Sequence, residues 1–146
     1  MIRVLFALVL ITGCAGSTYD EGSAFRHRGV QPAIRDTAGL IGSAGWGISG
    51  ASSASLAVPA GAHEEWIVRF DDFRAPSHAD LTRFVPRLRE ELRRFAKASG
   101  TRLTEQDSSA WRLDLAYTDD VHRGTVRVRP RGGLRVTGFE VVVDEH

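Results

Sequence analysis

Cysteine is almost absent from this chain: Cys14 stands alone among 146 residues. A single thiol closes no internal disulfide and builds no Cys-rich zinc cluster, so any folded part must rest on its apolar core. Excess charge is missing too, with 19 basic and 18 acidic residues. Taking away the N-terminal segment that contains Arg3 leaves the remainder neutral. Nothing global then draws the protein to nucleic acid, which is not an expected partner. Lysine is nearly missing, since every basic residue except Lys97 is arginine; codon composition is the first reading of that bias. No charge at all occurs from Thr37 to Ala62. The apolar run Val4 to Ile11 is too short to span a bilayer as a permanent helix.

That run carries the most specific signal in the sequence. Arg3 precedes it, and the small residues Thr12 and Gly13 lead from it to Cys14. A short positive region, a short apolar region and a small-residue cleavage site describe a signal peptide over residues 1–13. Ile11-Thr12-Gly13-Cys14 resembles the lipobox of bacterial lipoproteins, and the resemblance covers this segment only. It implies that Cys14 takes a diacylglycerol, that the peptide is cut before it, and that the mature protein hangs from the membrane by several acyl chains. Several chains anchor stably where one would not. Ala15 rather than Asp follows the cysteine, which in that class is compatible with the outer membrane, facing the periplasm.

Residues 14–62 do not read as packed domain. Gly39, Gly42, Gly45, Gly47 and Gly50 recur among Ser and Ala, and Pro59 ends the stretch. Glycines and serines dilute Leu40, Ile41, Trp46, Ile48, Leu56 and Val58, which argues against a membrane span. The first expectation is a flexible, lipid-anchored tether. The alternative is a segment that docks, through Trp46 and its neighbours, on the domain or the lipid.

Residues 63–146 read as one small α+β domain. Trp66, Val68 and Phe70 alternate as one face of a strand. Ala75-Pro76 breaks it, and Ser77 with Asp80 resembles a capping box at a helix start. Leu81, Phe84, Val85, Leu88, Leu92 and Phe95 form one stripe of an amphipathic helix over about 78–98, closed by Gly100. Pro86 inside it predicts a bend, or two shorter helices in line. An antiparallel meander of three to four strands follows. Trp111, Leu113, Leu115 and Tyr117 alternate, then Val126 and Val128, then Leu134 and Val136 after the Pro130–Gly133 turn. The parity shifts to Phe139, Val141 and Val143, which predicts a bulge at Gly138. Leu103 marks a short strand after the helix. One apolar helix stripe and one apolar sheet face imply a helix lying on the sheet, an arrangement similar to cystatin-like folds. That similarity is one of architecture alone.

Chemistry is sparse. His27, His63, His78, His122 and His146 show no metal-ligand spacing, and Asp119, Asp120 and His122 read as a solvated turn. Asp71 and Asp72 read as charges ending an edge strand. Ser52 and Ser53 lack the Gly-x-Ser-x-Gly frame, and no glycine run resembles a phosphate loop. No acid, base and nucleophile converge, so neither enzymatic activity nor a cofactor is expected. One constellation remains: Arg112, Arg127, Arg129 and Arg135 fall opposite the core-facing positions. They could grip an anionic partner, a lipid phosphate, a glycan acid or an acidic protein patch. The simpler reading is an ordinary solvated face balanced by Asp114. The expected function is therefore a non-catalytic binding or assembly-support lipoprotein of the bacterial envelope. The alternative is a periplasmic inhibitor or immunity-type protein that blocks an enzyme.

Overall fold

The computed structural model describes residues 22–41, 46–54, 62–70 and 77–146, the backbone alone within 46–54. The signal segment, Cys14, Asp71, Asp72, Ala75, Pro76 and Pro59 lie outside these residues. Helix α1 opens as a wide π-helical turn, Phe25–Val30, and continues as an α-helix, Gln31–Ile41. Strands β1 (Trp46–Ala54) and β2 (Ala62–Phe70) follow, then helices α2 (His78–Leu81) and α3 (Phe84–Ser99). Four strands complete the order: β3 (Arg102–Ser108), β4 (Leu113–Thr118), β5 (Arg123–Arg131) and β6 (Gly138–Glu145).

The strands form one antiparallel sheet in the order β1-β2-β6-β5-β4-β3. From β3 to β6 the chain meanders, and β6 returns to pair with β2. Alternation then sorts the side chains. Val68 and Phe70 of β2, Leu113 and Leu115 of β4, Val126 and Val128 of β5, and Phe139, Val141 and Val143 of β6 are all buried on one face. Phe84, Val85, Leu88, Leu92 and Ala96 of α3 close over that face. The Phe84 ring stacks on Phe139, with centroids 4.4 Å apart.

The α+β class and the helix on the sheet agree with the sequence pattern; four details differ. First, part of the expected tether is folded. Phe25, Val30, Ile34 and Ala38 of α1 are buried in the same core, and β1 extends the sheet beyond β2. The buried positions Val30, Ala33, Ile34, Thr37 and Ala38 keep helical spacing. They are mostly small, so the stripe is weak in hydropathy while still fitting a close helix contact. At Gly29 an added Cβ would lie 2.6 Å from the Phe95 ring, which marks how near α1 comes to α3.

Second, the 78–98 region is two shorter helices, one of the two expected outcomes, but they part at Thr82 and Arg83 and not at Pro86. Pro86 is the third residue of α3, where a backbone N–H has no helical partner to lose, so it initiates rather than bends. The Ser77 cap is present: its hydroxyl accepts the Asp80 N–H at 3.2 Å and donates to the Asp80 carboxylate at 2.7 Å. Gly100 closes α3 in the left-handed region at φ 72°.

Third, no bulge occurs at Gly138. The β5–β6 register runs unbroken from Arg131↔Gly138 to Gly124↔Glu145. Parity changes because 132–137 is a loop, closed by the Thr137 N–H donating to Arg131 O at 2.8 Å. Gly138 serves close approach instead, since a Cβ there would lie 2.1 Å from the Val68 carbonyl oxygen. The register irregularity of the sheet falls in β3, between Glu105 and Asp107. Fourth, Leu134 does not point inward but is fully exposed in that loop.

Candidate functional site

The arginines read from the sequence divide into two kinds. Arg127 and Arg129 project from β5 on the sheet face opposite the helices. Arg127 lies 2.8 Å from Asp144, and Arg129 lies 2.8 Å from Asp114. Arg129 also donates to the Val128 carbonyl at 2.9 Å. Arg112 sits exposed just before β4, and Arg135 lies exposed in the 132–137 loop rather than on the returning strand. The structure thus brings two of the four together and leaves Arg135 off the sheet. Those two are each neutralised by a neighbouring strand's acid, so the centre of the face carries balanced charge.

Asp144 is shared. The ring of His63 on β2 bonds it through Nδ1, while Nε2 lies 3.0 Å from Glu65. The Asp144 hydrogen bond, then that of Glu65, raises the His63 pKa and outweighs the partial burial of the ring. Burial would raise the Asp144 carboxyl; His63 and Arg127 outweigh it and hold it low. Asp119 behaves as a turn acid: it accepts the N–H groups of Val121 at 2.8 Å and His122 at 2.6 Å. Among the described residues, no group of three His, Cys, Asp or Glu side chains is placed to hold a metal ion.

A buried ionic cluster lies at the end of the core where α1 begins. The Glu145 carboxylate accepts the Ser23 backbone N–H at 2.9 Å, the Tyr117 hydroxyl at 2.7 Å, Arg26 Nε at 3.1 Å and the Ser23 hydroxyl. Arg26 reaches on to Glu64 of β2 at 2.6 Å. Burial favours the neutral carboxyl, but these donors outweigh it and hold the Glu145 pKa below its ordinary value. Burial and the adjacent carboxylate push the Tyr117 hydroxyl well up, so it remains a donor. The cluster ties four elements, α1, β2, β4 and β6, at one point. Sequence reasoning passed over it, yet a signal existed: Glu145 shares parity with Phe139, Val141 and Val143, and Glu64 with Trp66 and Val68.

Depressions mark the surface of the described residues, two of them extensive. A groove of about 580 Å³ runs between the C-terminal end of α1 and α3, lined by Leu40, Pro86, Arg83, Arg87, Arg89 and Arg93 among others. Within it Arg89 and Arg93 are both held by Glu105. A shallower cleft of about 380 Å³ lies at the opposite end of the domain, where β3, β4 and β5 meet. No described helix is long and apolar enough to cross a membrane. Neither a protein-family model nor a curated protein sequence matches this chain.

Proposed function

We propose that this protein is a lipoprotein of the bacterial envelope, held by acyl chains on Cys14 and facing the periplasm from the outer membrane. Its α+β domain binds or supports an envelope component without catalysing a reaction. The observation that carries the reading is the sequence Ile11-Thr12-Gly13-Cys14 directly after a short apolar run, with the chain's sole thiol at its end. The described side chains add a surface of paired charges, His63, Glu65, Asp144 and Arg127, suited to contact with a polar partner. Metabolic labelling with palmitate tests the anchor. The wild type labels and sediments with membranes, whereas Cys14→Ser neither labels nor fractionates there. Equal labelling of the serine variant contradicts the reading.

A further inference from the structure

The shallow cleft at the β3–β4–β5 end differs in charge from the rest of the sheet face. Arg102 of β3 and Arg123 of β5 are both register partners of Thr118 on β4. The two arginines therefore stand two strand spacings apart, about 10 Å, with a threonine between them. Thr104, Thr125 and His146 complete the polar lining. Arg127 and Arg129 in mid-sheet have acids beside them; Arg102 and Arg123, both exposed, form no ion pair among the described residues. Asp119 and Asp120, in the adjoining turn, do not line the cleft. Two guanidinium groups and intervening hydroxyls are the chemistry that holds a phosphate monoanion or diester.

Geometry supplies the occupant. Ser23 is tied to Glu145 at the end of β6, and Glu145 pairs in register with Gly124, beside Arg123. Only seven residues lie between Cys14 and Gly22, eight steps along the chain. However that segment runs, it reaches at most about 28 Å. β5 alone, with its nine residues, spans about 30 Å. On the lipoprotein reading, the anchor at Cys14 keeps this end of the domain within that reach of the bilayer, whereas the loop at 132–137 lies at the other end of β5. Val121, at the tip of the β4–β5 turn beside the cleft, is an apolar side chain 80% exposed. It stands where an interfacial contact would bury it.

We infer that the Arg102–Thr118–Arg123 cleft is a phospholipid headgroup site, which seats the domain on the membrane that its own acyl chains occupy. The inference rests on the lipoprotein reading and adds an orientation and a ligand to it. Cys14 becomes a thioether when lipidated, so an introduced cysteine is the only free thiol. The full lipidated chain is reconstituted in phosphatidylethanolamine/phosphatidylglycerol vesicles, with an environment-sensitive fluorophore on Val121→Cys or on Leu134→Cys. Nitroxide on the lipid headgroups should quench the probe at 121 several-fold more than the probe at 134. Combining Arg102→Gln and Arg123→Gln should at least halve the quenching at 121, with an unchanged circular dichroism spectrum. Equal quenching at the two sites, or an undiminished signal in the double variant, overturns the site. Asp120→Cys repeats the measurement should Val121→Cys misfold. Failure of the anchor reads differently: the protein does not float with vesicles and Cys14 itself takes the fluorophore, which removes both readings.

Discussion

The two helices that cover the sheet are attached by different physics. Helix α3 lays Phe84, Val85, Leu88, Leu92 and Ala96 on the sheet, a stripe of mostly large side chains. Its outer face is laced by exposed pairs such as Arg94–Glu90 at 3.5 Å, which contribute little. Helix α1 buries as many apolar residues, Phe25, Val30, Ala33, Ile34 and Ala38, somewhat smaller in sum, and its first turn is pinned as well by the Arg26–Glu145–Glu64 cluster. Apolar area alone holds α3; a comparable apolar contact together with a desolvated set of charges holds α1. The difference predicts that α1 is released by a single substitution or by acid, where α3 leaves only when the whole domain unfolds.

The largest expected effect follows from that difference. Glu145→Ala removes one of the two carboxylates on Arg26 and the acceptor of the Tyr117 hydroxyl; breaking a buried pair outright costs about 3–5 kcal/mol, and Glu64 retains part of that. Leu88→Ala opens a cavity under α3 and costs about 2–5 kcal/mol. The totals overlap, but the patterns should not. Urea unfolding followed by hydrogen exchange should show Glu145→Ala freeing the α1 amides at denaturant concentrations where the sheet stays protected. Leu88→Ala should lower the protection of all elements together. Joint loss in both variants would mean that the two helices form one cooperative unit.

How much of this was legible depends on side-chain size and on the reach of the pairing. β2, β4, β5 and α3 announce themselves through large apolar residues at period 2 or 3.6, and Ser77 and Gly100 bracket the helical region. α1 keeps the same helical spacing, but Ala33, Thr37 and Ala38 give it little hydropathy, and the glycines after it invite a tether reading. β1, Trp-Gly-Ile-Ser-Gly-Ala-Ser-Ser-Ala, has no apolar alternation and is defined by its pairing with β2. The placement of β2 beside β6 is a long-range choice that local pattern does not encode. At the site, the shared face of Arg127 and Arg129 follows from parity. Their neutralisation by Asp144 and Asp114 depends on cross-strand register, which parity leaves open.

Acid should sharpen the contrast next. Glu145 titrates below its ordinary value of 4.5 in the folded protein. Its contribution is thus complete above the unfolded pKa and is lost as pH falls through the folded one. Between pH 5 and the acid range beneath 4.5, α1 should therefore loosen before α3, seen as a fall in near-ultraviolet ellipticity with far-ultraviolet signal largely kept. An α1 that stays as protected as α3 down to the pH at which the whole domain unfolds would contradict a charge-held attachment. His63 works in the opposite sense and gives the smallest effect. Its pKa is raised from 6.5, so its contribution is complete below that value and fades as pH rises through the folded pKa. His63→Gln should leave stability at pH 8 almost unchanged and lower it slightly at pH 5, as titration of the urea midpoint would reveal. A variant equally affected at both pH values would show that the ring acts by packing rather than by charge.

Hydrogen exchange on the full-length protein at neutral pH tests most directly whether residues 22–41 belong to the folded domain. The amides of Ile34 to Ile41 should exchange orders of magnitude more slowly than those of a free chain, because α1 is packed on α3 with Ile34 and Ala38 buried. Exchange of these amides at the rate of an unstructured peptide, with α3 and β4 to β6 still protected, would contradict the account and return the segment to a tether.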